Sequence, residues 1–312
     1  MNVLSYIKKA FSILKFNIIY KNKFISPYFY IFNINRGDIP KLKKVLFYFN
    51  NEEFMHIGDH IFFIKTIKTL MLNGYEVDVS TIPSMRNIFE KIGIKVKANP
   101  NLKDYDLIIS RVELLDEHLI DKPLVLVNLT KNLTMPIADD LLVHFSLLFE
   151  LKPVENVEYN FEIFNDKSVI KRFNLNENDS YILLSPFCDS SFFLVTNEKI
   201  NRIISFVRKE AKIKNAKILL IGSQIDKLKV KFSSDEFIDL RGKTTIEDIL
   251  NLSNCPNVKS FIGFDNFIMH VFSIIKKPSF VVYRGRIGKK RREMIKKSHI
   301  NLNNKEYFVT LI

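Results

Sequence analysis

Cysteine is nearly missing from this chain of 312 residues: only Cys188 and Cys255 occur, far apart and with no metal-ligand spacing around either. That argues against a disulfide scaffold and a structural zinc site, and it suits a reducing, cytoplasmic setting. Nothing matches a paired Cys/His finger or an RNP aromatic signature, so the chain carries no motif for reading nucleic acid. The first thirty residues hold no small-residue cleavage site, and Lys8, Lys9 and Lys15 interrupt their apolar positions. Neither a signal peptide nor a transmembrane helix is expected there.

What is present is a folded composition. Hydrophobic residues make up 47% and charged residues 26%, the balance of a soluble protein rather than a disordered one. The length is enough for two domains, each with its own core. The net charge of +13 draws anionic partners: nucleic acid, anionic lipid or phosphorylated small molecules. With no nucleic-acid motif, the last two are the better readings. In residues 1–20, Val3, Leu4, Ile7, Phe11 and Leu14 fall at helical spacing among the lysines. This predicts a basic amphipathic helix, which either lies on an anionic membrane surface or packs its apolar face on the body of the protein.

From Lys44 onward, short apolar runs alternate with amphipathic stretches. Strands are predicted at Val45–Phe49, Val77–Ser80, Ile94–Lys97, Leu107–Ser110 and Leu124–Leu129. Helices are predicted from about His60 to Leu72, ended by Asn73-Gly74, and from a Ser84 cap to Lys91. The second half repeats this grammar. Its strands are Tyr181–Ser185, Lys217–Ile221, Phe237–Leu240, Val258–Ile262 and Ser279–Tyr283. Ile200, Ile203, Ile204 and Val207 mark one helix face, Thr244 or Thr245 starts a second helix, and Ile268, Val271, Phe272 and Ile275 belong to a third. Such an order argues for parallel sheets covered by helices. The expected organisation is a basic segment over 1–30, a Rossmann-like domain over 31–160, a second over 161–285 and a basic tail over 286–312. Ligands of open sheets bind at the carboxyl ends of the strands, so the site is expected in a cleft between the two domains.

Two segments carry candidate chemistry. In His56-Ile57-Gly58-Asp59-His60, Gly58 permits a tight turn and Asp59 is either a general base or a helix N-cap. In Phe261–His270, a strand ends at Gly263 and a helix begins near Asn266, offering free N–H groups to a diphosphate. Asp265 there either holds a sugar hydroxyl or caps the helix, and His270 either meets a phosphate or packs internally. Arg284 and Arg286 follow the last strand and can reach a phosphate. Lys289-Lys290-Arg291-Arg292 reads as a solvated or membrane-facing patch, in the only segment (287–299) suited to a closing helix.

Taken in order, several pieces resemble the ADP-heptose–lipopolysaccharide heptosyltransferases, glycosyltransferase family 9. They are Ile57-Gly58-Asp59 with Ile61-Phe62-Phe63, Leu183-Leu184-Ser185-Pro186, Gly222-Ser223-Gln224-Ile225-Asp226, Asp239-Leu240-Arg241-Gly242-Lys243-Thr244, and Gly263-Phe264-Asp265-Asn266 with Met269-His270. The resemblance spans roughly residues 44–94 and 181–285. The chain departs from the family where Asn266-Phe267 stands for Ser-Gly and where Phe187 and Asp189 follow Pro186. It also has no tryptophan: Ser190-Ser191-Phe192-Phe193 occupies the place of the family's Lys/Arg-Trp pair.

The resemblance implies a GT-B fold and an inverting transfer of a sugar, heptose among the candidates, from a nucleotide-diphosphate donor such as ADP-heptose. The acceptor would be a glycolipid or oligosaccharide of the bacterial surface, a lipopolysaccharide core or capsule chain, reached from the cytoplasmic face of the membrane. It implies Asp59 as the base and Ser185, Asp226, Lys243, Thr244, Asp265, Asn266 and His270 around the donor, with Asp226 near the ribose and Lys243 near the diphosphate. No cofactor or metal is expected, since a helix dipole and basic side chains can stabilise the departing diphosphate. The alternative is a GT-B-fold protein that binds a glycan or partner without turnover.

Overall fold

The structure, a computed structural model, describes residues 28–51, 55–115, 117–129, 136–187, 197–229, 232, 236–264, 266–283 and 307–311. The amphipathic segment over 1–20, the 287–299 segment, Asp265, Arg284 and Arg286 lie outside them. The chain divides into two compact units, the boundary falling after Tyr159.

The first unit is built on β1 (Phe29–Phe32), β2 (Lys44–Phe49), α1 (Ile57–Leu72), β3 (Glu76–Thr81), α2 (Pro83–Lys91), β4 (Lys95–Val96), β5 (Leu107–Arg111), α3 (Glu117–Ile120), β6 (Leu124–Val127) and α4 (Ile137–Phe149). The strand order is β1-β6-β5-β2-β3-β4, parallel throughout except for β1, which runs antiparallel on β6. Both faces of this sheet are covered, which is why β2 and β6 read as unbroken apolar runs rather than alternating ones. On one face Phe47 and Phe49 meet Phe63 of α1, and Phe47 meets Phe145 of α4. On the other, Tyr30, Ile108, Leu124 and Leu126 pack with Val112 and Leu119.

Local signals explain the helix ends. Asn73 and Gly74 close α1, Gly74 at a φ of +83° that a side chain would strain. The helix expected from a Ser84 cap begins instead at Pro83, with Ile82 as its N-cap; proline's fixed φ and missing N–H suit the first helical position. The sequence reading had no place for β1 or α4. An antiparallel edge strand needs no preceding crossover helix, so β1 lies outside the strand–helix rhythm.

The second unit contains α5 (Ser168–Arg172), β7 (Ser180–Ser185), α6 (Asn197–Ile213), β8 (Ala216–Leu220), α7 (Gln224–Lys229), β9 (Phe237–Asp239), α8 (Ile246–Asn254), β10 (Val258–Phe264), α9 (Phe267–Ile274), β11 (Ser279–Tyr283) and β12 (Tyr307–Leu311). Its order is β12-β11-β10-β7-β8-β9, entirely parallel, the doubly wound order of a dinucleotide-binding sheet. Successive residues of β7 serve opposite cores. Tyr181 and Leu183 join Phe261, Ile268 and Phe272, while Ile182 and Leu184 join the α6 face of Ile200, Ile203, Ile204 and Val207. The strand β12 was not anticipated; it extends the sheet by one place beyond β11.

Each sheet reverses its winding at one point, between β2 and β5 in the first unit and between β7 and β10 in the second. At the second of these, Gly263 is required by space. A Cβ there would lie 2.4 Å from the Ser185 carbonyl oxygen and 2.6 Å from the Phe261 ring. Gly263→Ala is therefore expected to lower stability by about 1–3 kcal/mol, as overpacking does. Urea denaturation of the full chain measures it, and a midpoint equal to wild type would contradict this account.

Candidate functional site

The helix α1 starts one strand-end loop after β2, with His56 at its N-cap position and no side chain capping it. Gly58 thus lies inside the first helical turn rather than forming a turn ahead of it. Asp59 is the third helical residue, so it is not the N-cap; its carboxylate favours the positive end of the helix while its side chain is directed elsewhere. That partner is Arg111, the last residue of β5, whose Nη1 donates to Asp59 Oδ2. Arg111 also holds Glu113 through two bonds, Nε to Oε2 at 3.1 Å and Nη2 to Oε1 at 2.7 Å. The Asp59 side chain is 20% exposed, whereas those of Arg111 and Glu113 are 5% and 1% exposed. Burial alone would pull the guanidinium's pKa down, but the two adjoining carboxylates outweigh it and push it up.

His60 follows Asp59 and is fully buried, its ring near those of Phe49 and Phe89. Nδ1 lies 3.2 Å from the His56 carbonyl oxygen, and Nε2 has no hydrogen-bond partner among the described residues. Burial lowers its pKa to about 4, Asp59 opposing that shift and Arg111 and His56 reinforcing it. The imidazole next to Asp59 is therefore neutral at physiological pH.

On the face of the sheet away from Phe47 and Phe49, a recess of about 320 Å³ opens at the carboxyl ends of the strands. Tyr48, Asn50, Asn99, Pro100, Leu102 and His118 line it, and no Lys, Arg, Asp or Glu is among its described lining residues. An aromatic ring with amide groups suits a neutral polar ligand better than an anion.

In the second unit, the expected donor residues Ser185 and Asn266 meet at the carboxyl edge of the sheet, while Asp226 follows β8 and Lys243 and Thr244 follow β9. Asn266 is the N-cap of α9, accepting from the Ile268 N–H at 3.0 Å. Its Nδ2 donates to Ser185 Oγ (3.0 Å) and to the Phe187 carbonyl (3.1 Å), tying the end of β7 to the start of α9. Asp226 caps its own short helix: its Oδ2 accepts from the N–H and the hydroxyl of Ser223, each at 2.7 Å, and Ser223 Oγ accepts from the Asp226 N–H. Lys243 is exposed beyond the end of β9. The Thr244 hydroxyl is buried with no hydrogen-bond partner among the described residues, while Thr245 forms a capping box with Asp248 at the start of α8. His270 is 6% exposed inside α9, in line with a packed histidine.

Three further charged residues were not singled out as site residues from the sequence: Arg111, Glu113 and Arg241. Arg241 is buried, paired with Asp239 through Nε (3.0 Å) and Nη2 (2.9 Å), and its guanidinium lies 4.9 Å from the Phe232 ring centroid. Its hydrogen bonds hold the Asp239 carboxyl below the usual range. The available signal was a charge at the end of an apolar strand: Arg111 terminates Leu107–Ser110, and Arg241 follows Phe237–Leu240. Gly242 next to it has φ +71°, a backbone conformation that a side chain would strain, and a Cβ there would lie 3.1 Å from Gln224 Cα. Among the described residues, no group of three or more His, Cys, Asp or Glu side chains is arranged to hold a metal ion, and no helix is long and apolar enough to cross a membrane.

No protein-family model matches the chain, and no curated protein matches it in sequence. Solved structures do. It is similar to ADP-heptose lipopolysaccharide heptosyltransferase II of E. coli, at 12% identity over 86% of this chain and 90% of that one, with a TM-score of 0.55. A glycosyl transferase family 9 protein from Veillonella parvula matches at 12% identity over 86% of each chain, also with a TM-score of 0.55. E. coli heptosyltransferase WaaC, solved with ADP, matches at 13% identity over 86% of this chain and 92% of that one, TM-score 0.53. Coverage runs through both units in each case, so the chain shares the two-domain GT-B fold of these glycosyltransferases.

Proposed function

We propose that this protein is a glycosyltransferase that moves a sugar from a nucleotide-diphosphate donor to a glycan hydroxyl, with inversion at the anomeric carbon. The observation that carries the reading is Asp59: a partly exposed carboxylate held at the winding reversal of the first sheet, in a chain with this fold. The acceptor hydroxyl gives its proton to Asp59 as its oxygen bonds to the anomeric carbon. The bond from that carbon to the diphosphate breaks, and the electron pair leaves with the phosphate oxygen. The second unit binds the donor. Ser185, Asn266 and the start of α9 lie at its winding reversal, and Lys243 and Thr244 follow β9. Asp265, Arg284 and Arg286, which lie outside the described residues, belong to the same proposal, as do Asp226 for the ribose and His270 within α9.

The neutral recess of the first unit, with Tyr48 and Asn99, suits a sugar of the acceptor. ADP-heptose as donor, a lipopolysaccharide core or capsule glycan as acceptor, independence from metal, and peripheral attachment at the cytoplasmic face through residues 1–20 complete the reading. Basic charge supports that attachment, since anionic lipid attracts it.

A binding protein without turnover is the second reading, favoured by Asn266. Its side chain already occupies one of the free N–H groups at the start of α9 that a diphosphate would otherwise meet. A thermal-shift screen of nucleotide sugars, followed by assay of nucleotide release with lipopolysaccharide-derived acceptors, separates the two. A donor at a hundred times its Kd is expected to stabilise the chain by about 2.7 kcal/mol. Release on adding acceptor supports transfer; stabilisation without release supports the binder. No shift with any nucleotide sugar overturns the transfer reading and leaves a binder of a glycan or partner.

A further inference from the structure

We propose that Arg111, clamped by Glu113, is the positioning residue that orients Asp59 for proton removal. This rests on the reading of Asp59 as the base. The geometry distinguishes the two carboxylates. Glu113 takes the two-pronged edge of the guanidinium and is the most deeply buried of the three, so it fixes the plane of Arg111. Asp59 meets the remaining Nη1 through one oxygen and keeps part of its surface open. Nη1 also donates to Met55 Sδ at 3.6 Å.

An arginine facing Asp59 alone would hold the carboxylate in place but weaken it as a base, because an opposite charge in contact favours the ionised form. Glu113 offsets this by neutralising Arg111 from its other edge. Glu113 and Asp59 share the one guanidinium, and Asp59 is the more exposed of the two carboxylates. Arg111 thus fixes the Asp59 rotamer without extinguishing its basicity. The titratable groups around Asp59 include Arg111 at the end of β5, Glu113 just after it, and His60 on its own helix. The neutral, buried His60 adds no competing charge.

The test uses the full-length protein with Glu113→Gln and Arg111→Met, read in two ways. One is the titration of the Asp59 carboxyl by carbon NMR, assigned with Asp59→Asn. The other is the pH profile of kcat and KM for transfer. Glu113→Gln leaves Arg111 to Asp59 alone, so the Asp59 titration and the acidic limb of kcat move to lower pH. The rate falls by about threefold to tenfold with KM unchanged, as a weaker base predicts. Arg111→Met removes the cation, so both move to higher pH. Opposite displacements support the proposal. Titration that stays put in folded Glu113→Gln, or moves the same way in both variants, overturns it. If Arg111→Met does not fold, the direction in Glu113→Gln decides alone. Displaced titration without transfer to any acceptor upholds the positioning of Asp59 and removes the glycosyl-transfer reading instead.

Discussion

Asp59→Asn is expected to reduce turnover by about 100- to 10,000-fold, the usual contribution of a general base, while donor affinity stays near wild type. Asparagine keeps the shape of the side chain and can still accept from Arg111, but it cannot take a proton. The alternative, a capping role, predicts near silence, because asparagine caps helices about as well as aspartate. The structure sets that alternative aside: His56 holds the N-cap position and Asp59 lies three residues further in, bonded to Arg111. Stability is the internal control. Arg111 retains its two bonds to Glu113 in the variant, so no buried cation is left unpaired and unfolding shifts little. Steady-state transfer assays with an identified donor, alongside urea unfolding, give both quantities. Transfer within a factor of a few of wild type would remove Asp59 from the reaction.

The second large effect is an acid instability centred on His60. Its pKa is about 4 in the folded chain against an ordinary 6.5, burial being the main cause. Above pH 6.5 the ring is neutral in both the folded and unfolded states, and the stability associated with a neutral buried imidazole is fully present. As the pH falls, the unfolded chain takes up a proton first. Stability is lost between pH 6.5 and about 4, and no more is lost below that, where both states are protonated. A fall from 6.5 to about 4 corresponds to a loss of about 3 kcal/mol.

Carboxylates elsewhere also respond to acid, so the informative quantity is the difference between wild type and His60→Leu. Leucine nearly matches the volume and removes the unpartnered Nε2. The variant's stability is expected to gain on wild type steadily as the pH drops through this window. A constant difference from pH 7 to pH 4 would show that His60 does not carry the linkage.

The sequence by itself determined the local grammar. Val45–Phe49, Tyr181–Ser185 and Val258–Ile262 are strands because apolar runs of that length are buried on both sides of a parallel sheet. The face Ile200, Ile203, Ile204 and Val207 is read directly from its 3.6-residue period, and the structure buries all four. Asn266 as a helix start is equally local, since a short polar side chain ahead of an apolar run can accept from the N–H two residues on. Asp59 could be picked out as a candidate because an acid follows the first strand of the rhythm, but its local role stayed open between cap and base.

Only the tertiary structure decided what Asp59 faces. Arg111 is 52 residues away, and the two meet because β2 and β5 are neighbours in the sheet despite the two strands between them in the chain. The same holds for Asn266 and Ser185, 81 residues apart, brought together by the pairing of β7 with β10. Strand order is set by which crossovers pack best over the whole sheet, a sum over many distant contacts that no short window contains. The edge strands β1 and β12 escaped the reading for that reason too: each is a brief apolar run whose partner is fixed by position in the sheet rather than by its own pattern.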